Sequence, residues 1–283
     1  MYNFAVHTAE VTNVREGTMK RVFLLAGLLA AVCSDLGATV LTFDVDGLPN
    51  GQILSSDYGD RVSCSRMGNF HYGLESGVTP GITVTYVGDH TWSAFPIFWT
   101  SDYNDLHNVI ENESDGDTGY QVIFQADPNI VVRLEGFDVG NWGGQVNVPE
   151  IRVTDGGGTI LFQTTNVTLP ASSVKQHVHF DLPAEVRGAI LILRVDTTNL
   201  GGASDNIGLD NIGFSQDPPA PRPSVDIDES GIVDLDDLMW LVEYWLVLPA
   251  PVNLDVVVDC RIDLNDFARL ASFWMTTPPS EDR

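Results

Sequence analysis

The stretch Glu150-Ile-Arg-Val-Thr-Asp-Gly-Gly-Gly-Thr-Ile-Leu-Phe-Gln163 sets two β-prone runs on either side of a glycine-rich turn. Val, Ile, Thr and Phe fit a pleated, half-buried surface, and Asp-Gly-Gly-Gly interrupts them. The pattern continues in both directions. Upstream stand Ile82-Thr-Val-Thr-Tyr-Val87, Tyr120-Gln-Val-Ile-Phe124 and Ile130-Val-Val-Arg-Leu134; downstream stand His177-Val-His-Phe-Asp181 and Ala189-Ile-Leu-Ile-Leu-Arg-Val195. No helical period of useful length appears between Val40 and Phe214, so the region is expected to be mainly β, a sandwich of short strands. Alternation in 177–181 turns Val178 and Phe180 to the core and both histidines outward, as solvated groups.

The 283 residues, 43% of them hydrophobic, allow one sizeable core and a small second unit. Lys and Arg total 14 against 39 Asp and Glu, a formal charge of −25. Such a chain is repelled by phosphate backbones and anionic membranes, which excludes nucleic acid as a partner. The same surplus supplies carboxylates for divalent cations. Of three cysteines, Cys33 falls in the leader described next, and Cys64 and Cys260 fall in different modules. Two unpaired, buried thiols are expected, and no group of four ligands suggests zinc.

From Met19 the chain reads Met-Lys-Arg, an apolar stretch from Val22 to Val32, and small residues up to Ala38. That is the plan of a secretory signal, too short to span a bilayer at ~20 residues per crossing. Residues 1–18 look like an upstream start, so residues 1–38 form an extension plus signal, and the mature protein is expected outside a bacterial cell with no membrane insertion.

Four prolines in Gln216–Ser224 mark a semi-rigid linker over 217–224, after a sandwich spanning 39–216. Beyond it, Asp226, Asp234, Leu235, Asp237, Leu241 and Trp245 recur 29 residues on as Asp255, Asp263, Leu264, Asp266, Leu270 and Trp274. Each copy joins an acidic loop to an amphipathic helix. The apolar stripes, Leu238, Leu241, Val242 and Trp245 in one and Phe267, Leu270, Ala271 and Trp274 in the other, are expected to pack together. The first loop puts oxygen side chains at positions 1, 3, 5, 9 and 12 around Gly231, with the Ile232 carbonyl at position 7 and Val233 directed to the core. Calcium, which takes six to eight oxygens, suits that layout.

Two loop-plus-exit-helix copies ending in Asp resemble the dockerin family over residues 225–277, before a short tail at 278–283. The resemblance implies two calcium ions and a cohesin-like or other surface scaffold partner. It implies Asp226, Asp228, Ser230, Ile232, Asp234 and Asp237 as first-site ligands and Asp255, Asp259, Asp263 and Asp266 as second-site ligands. Val257 stands where the second loop needs an oxygen, and Cys260 replaces the turn glycine, so the second site is expected to be weak or empty. Leu235-Asp236 and Leu264-Asn265 occupy the positions that face the cohesin in cellulosomal dockerins, where small hydroxyl residues are usual.

Leu41-Thr-Phe-Asp-Val-Asp-Gly-Leu-Pro49, Leu134-Glu-Gly-Phe-Asp-Val-Gly-Asn-Trp142 and Asp205-Asn-Ile-Gly-Leu-Asp-Asn-Ile-Gly-Phe214 resemble secreted bacterial jelly-roll domains of the galactose-binding-like type. That resemblance implies paired first and last strands, a structural calcium near their seam with Asp44 and Asp210 as oxygen ligands, and carbohydrate binding through exposed rings. Trp92, Trp99, Tyr103 and Trp142 are the available rings.

No Gly-x-Ser-x-Gly elbow, His-Glu-x-x-His or phosphate-cradling loop occurs. The chain is therefore read as a non-catalytic sandwich, a candidate polysaccharide binder, displayed through a calcium-dependent tail. A glycoside hydrolase carrying the same tail is the alternative, since two flanking acids suffice for it; a purely structural surface component is a third reading.

Overall fold

The computed structural model describes residues 38–74, 77–88, 96–111, 118–198, 200, 206–219, 224–245, 254–257 and 260–277. The expected leader, Trp92 and Asp259 lie outside the described residues. The first eight strands are β1 (Thr39–Val45), β2 (Gln52–Ile53), β3 (Arg66–Met67), β4 (Phe70–Leu74), β5 (Ile82–Gly88), β6 (Ile97–Trp99), β7 (Val109–Glu111) and β8 (Gly119–Ala126). Then follow β9 (Val131–Asn141), β10 (Val146–Asp155), β11 (Ile160–Leu169), β12 (Val178–Asp181), β13 (Arg187–Gly188), β14 (Ile190–Asp196) and β15 (Ile207–Asp217).

They form two antiparallel sheets. The larger runs β2-β6-β7-β15-β1-β4-β3, with β9 also paired to β15 and carrying β12 and β13; the smaller runs β11-β10-β14-β8-β5. The β-prone runs of the sequence lie in β5, β8, β9, β10, β11, β12 and β14. Their inward residues share one core: Val132, Leu134 and Phe137 of β9 with Leu191, Leu193 and Val195 of β14. Phe124 and Phe214 meet with ring centroids 5.0 Å apart, and each such buried side chain contributes roughly 1.5–3 kcal/mol. Val178 and Phe180 turn to this core as expected, and the Phe180 ring stacks on Phe137.

The first and last strands pair, Thr39 opposite Phe214 and Leu41 opposite Ile212. Both are irregular near this seam, β1 between Val40 and Asp44 and β15 between Asp210 and Gly213. Phe43 (φ 51°) and Asn211 (φ 50°) take left-handed backbone there. An asparagine tolerates it; for a phenylalanine it costs of order 1–3 kcal/mol, which complete burial of the ring offsets.

The tail has a core of its own, built from Val225, Val233, Leu241, Val256, Ile262 and Leu270. Its helices are α1 (Leu235–Glu243) and α2 (Leu264–Ser272). Each starts at a capping box, Asp234 with Asp237 and Asp263 with Asp266, which satisfies backbone donors that the first turn leaves orphaned. The expected stripes are covered only in part. Leu241 and Leu270 are buried and Leu238 and Trp245 pack beside them, but Val242 is 61% exposed and Phe267 and Trp274 are 40% exposed. Phe273 packs in their place. Loop residues fill much of this small core, so each short helix contributes one fully buried leucine.

Candidate functional site

Asp226, Asp228 and Asp237 each bring a carboxylate oxygen within 4.8 Å of the others, the one such trio of acidic, histidine or cysteine side chains among the described residues. Local folding produces it. Gly231, at φ 92°, folds the loop back and donates its N–H to Asp226 Oδ2 at 2.8 Å. The N–H groups of Ile227 and Asp228 donate to Asp237 Oδ1 at 2.6 and 3.2 Å, and that of Asp234 donates to Asp237 Oδ2 at 2.8 Å. Asp226 and Asp237 are buried, and Asp226 Oδ1 has no hydrogen-bond partner. A buried polar atom left unsatisfied costs about 1–3 kcal/mol. An all-oxygen donor set with one oxygen lacking a donor suits a hard cation.

Of the other expected first-site carboxylates, Asp234 lies outside this trio. Ser230 Oγ donates to the Ile232 carbonyl at 3.1 Å, and the Asp234 carboxylate caps α1 through the Asp236 N–H at 2.9 Å. Val233 is fully buried, as position 8 requires.

The second loop repeats the skeleton. Cys260 N–H donates to Asp255 Oδ2 at 2.6 Å, Val257 N–H to Asp266 Oδ1 at 3.1 Å, and Asp263 N–H to Asp266 Oδ2 at 2.9 Å. Asp255 and Asp266 are buried, Asp263 caps α2, and Val257 stands exposed where Asp228 stands in the first loop. Cys260, however, is not a free thiol. It forms a disulfide with Cys64, just before β3, with Cα atoms 5.4 Å apart, inside the range such bridges need. This corrects the expectation of two unpaired cysteines. Membership of different modules does not separate them, because the second loop lies against the sandwich and Cys260, at φ 67°, carries its sulfur to that contact.

At the strand seam, Asp44 is exposed and accepts from the Asn108 amide. Asp210 is buried, and that burial, with Asp138 and Asp44 nearby, pushes its carboxyl up to about 8, against the opposing N–H of Asn211. Asp44 is close enough to act on Asp210 electrostatically, and among the described residues no third acidic, histidine or cysteine side chain converges with the two as in the first loop. Sequence reasoning missed Asp138. It lies opposite His179 and Asp210 in register. His179 Nδ1 lies 2.6 Å and His177 Nε2 3.5 Å from Asp138 Oδ1, and Asn211 donates to Oδ2 at 2.8 Å. The outer ring nitrogens meet Asp181 at 3.1 Å and Asp105 at 3.0 Å. The hydrogen bond to Asp138, seconded by Asp181, raises the His179 pKa. Both histidines are held in a network rather than simply solvated.

Of the expected ring platform, Tyr103 is 1% exposed and packs with Leu106, Val109 and Trp99. It lies over Gly140 and Gly208, where a Cβ would come within 2.7 Å of its carbonyl oxygen and 2.6 Å of its ring. Asn104 fixes the segment by donating to the Pro170 and Ala171 carbonyls and accepting from Asn141 N–H. Tyr103 therefore covers the larger sheet and offers no face to a sugar; the facing glycines were the sequence signal for this. Trp99 is partly buried beside it, and Trp142 is 48% exposed just past β9.

No protein-family profile and no curated protein matches the sequence. A solved structure described as "CBM4 structure and function" aligns with 47% of this chain and 86% of its own length, at 14% identity and a TM-score of 0.29. At that overlap the likeness carries no weight for fold or ligand.

Proposed function

We propose that the chain is a secreted, non-catalytic binding protein. Its calcium-organised tail, of dockerin type, docks onto a cohesin-like or other surface scaffold protein, and its jelly-roll sandwich engages polysaccharide. The observation that carries this reading is Asp226 Oδ1, buried without a donor where Asp226, Asp228 and Asp237 meet. Helices of nine residues are too short to hold by themselves in water. A cation at the trio would tie the first turn of α1, through Asp237, to the start of the loop. Leu235, Met239, Trp240, Val242 and Leu264 stand exposed on the helices, more apolar surface than so small a unit usually leaves bare, which supports a protein partner. The Cys64–Cys260 bridge and the leader-like segment support export to an oxidising compartment. The exposed Trp142 supports the carbohydrate part.

The test is calcium titrated calorimetrically into chelator-stripped, full-length mature protein. One strong event is expected, with helical circular dichroism falling on chelation and returning with calcium. No heat and no change in helicity would sink the reading.

One observation favours the hydrolase alternative. Asp138 and Asp210 are register partners on β9 and β15, and Asp210 keeps its proton to about 8. Two neighbouring carboxyl groups in different environments are the minimum equipment for glycoside hydrolysis, but both are buried, Asp138 against the His177 and His179 rings, which ranks binding first. Reducing-sugar release that disappears in Asp210→Asn would reverse that ranking.

A further inference from the structure

A groove of about 890 Å³ runs between the sandwich and the second loop of the tail. One wall carries Thr42, Asp44, Arg66 and His71; the other carries Arg261, Asp263 and Asn265. The Cys64–Cys260 bridge ties the walls together, and Cys260 itself lines the groove. We propose that this groove, formed jointly by sandwich and tail, binds a neutral oligosaccharide. The proposal rests on the carbohydrate reading above and adds a second site to the exposed Trp142 ring.

The size is within the ~300–1,000 Å³ of small-ligand pockets. The chemistry of the walls selects the ligand class. A sugar hydroxyl donates and accepts at once, and the groove offers two guanidinium donors, two carboxylate acceptors, the Asn265 amide and the Thr42 hydroxyl. Its formal charges cancel, two against two, in a chain whose net charge is −25. An anion would meet Asp44 and Asp263, and a cation would meet Arg66 and Arg261, whereas a neutral polyol can use all four.

The walls are also pre-set. Asp46 accepts from Arg66 Nη2 at 2.6 Å, so the guanidinium of the sandwich wall is fixed before any ligand arrives, and His71 Nε2 lies 3.0 Å from the same carboxylate. The covalent link restrains the opposite wall. Pre-organisation of this kind removes ordering cost from binding. Tyr72, the one Phe, Tyr or Trp ring among the lining residues, is 5% exposed, so recognition here is by hydrogen bonds to hydroxyls rather than by stacking.

The test uses the full-length, oxidised, calcium-loaded protein, titrated by calorimetry with cello-, xylo-, manno- and laminarihexaose, and with oligogalacturonate as a charged comparator. At least one neutral hexaose is expected to bind. Arg261→Ala and Asn265→Ala, both at exposed positions of the tail, should each weaken it about tenfold, the loss expected for a hydrogen bond of that kind. Ile160→Ala, at an exposed position of β11 that does not line the groove, should bind like the wild type. Hydrogen exchange with the sugar bound should slow in both 65–73 and 260–265. Unchanged affinity in both groove variants overturns the groove, and if Trp142→Ala then loses binding the carbohydrate reading survives without it. Tighter binding of oligogalacturonate than of every neutral sugar overturns the ligand class. Binding of none of the five overturns both groove and reading.

Discussion

Cys260 stands in the second loop where Gly231 stands in the first. Each donates its N–H to the opening carboxylate of its loop, at 2.6 Å to Asp255 and 2.8 Å to Asp226, and each takes left-handed backbone, at φ 67° and 92°. Glycine adopts that conformation without strain; for cysteine it costs of order 1–3 kcal/mol. The two copies therefore share a backbone and differ in what closes it. In one, a buried carboxylate oxygen lacks a donor; in the other, a covalent bond reaches the sandwich.

Position 3 of the loops gives the sharpest prediction about metal. Asp228 belongs to the converging trio, while its counterpart Val257 is exposed and apolar. Val257→Asp should add a second, weaker calcium event by calorimetry, and Asp226→Ala should abolish the first. Saturation stabilises by RT ln(1 + [L]/Kd), about 2.7 kcal/mol at a hundredfold excess over Kd. Wild-type protein should therefore melt at a higher temperature with calcium than with chelator, and Asp226→Ala should melt alike in both.

The bridge between modules is testable by peptide mapping. A non-reduced tryptic digest should contain Val62–Arg66 linked to the peptide ending at Arg261. Two alkylated thiols in its place would refute the bridge. In the chain-entropy account, a crosslink across a separation of 196 residues stabilises by up to about 5 kcal/mol. Reduction should accordingly lower the denaturation midpoint of the whole chain.

The strands were legible because period-two runs broken by glycine turns need only local chemistry; β10 and β11 around Asp155–Gly158 are the plainest case. The convergence of Asp226, Asp228 and Asp237 was legible for a similar reason, since they lie within twelve consecutive residues. What escaped depends on register and docking. Asp138 gathers two imidazoles only because His179 sits opposite it across β12 and β9. The Cys64–Cys260 pair requires the tail to lie on the sandwich, and Tyr103 is buried because Asn104 binds carbonyls 66 and 67 residues away.

Asp210 gives a stability profile with a definite sign. Burial holds its carboxyl at about 8 when folded, against 3.8 for an ordinary aspartate, so between those values the native state holds a proton that the unfolded chain has released. Stability from this group is full at low pH and is lost as pH rises through that window, with a slope of at most ~1.4 kcal/mol per pH unit. In Asp210→Asn, followed by urea unfolding in chelator at pH 5 to 8, the loss with rising pH should shrink. Equal slopes in wild type and variant would show that the carboxyl is not buried as described.

Tyr103 and Gly208 should prove energetically coupled. A Cβ on Gly208 would stand 2.6 Å from the Tyr103 ring and 3.0 Å from Val109. Because the ring is enclosed and rigid, Gly208→Ala should cost roughly 1–3 kcal/mol through overpacking. Tyr103→Ala should cost about 3 kcal/mol or more by leaving a cavity over the sheet. In the double variant the new methyl occupies part of that space, so the combined loss should fall short of the sum by about 1 kcal/mol. Trp142→Ala, at an exposed ring, should stay within about 0.5 kcal/mol of wild type. Additive losses from Tyr103 and Gly208 in urea unfolding would mean that the ring does not rest on the glycine, and Tyr103 would regain its claim as a surface platform.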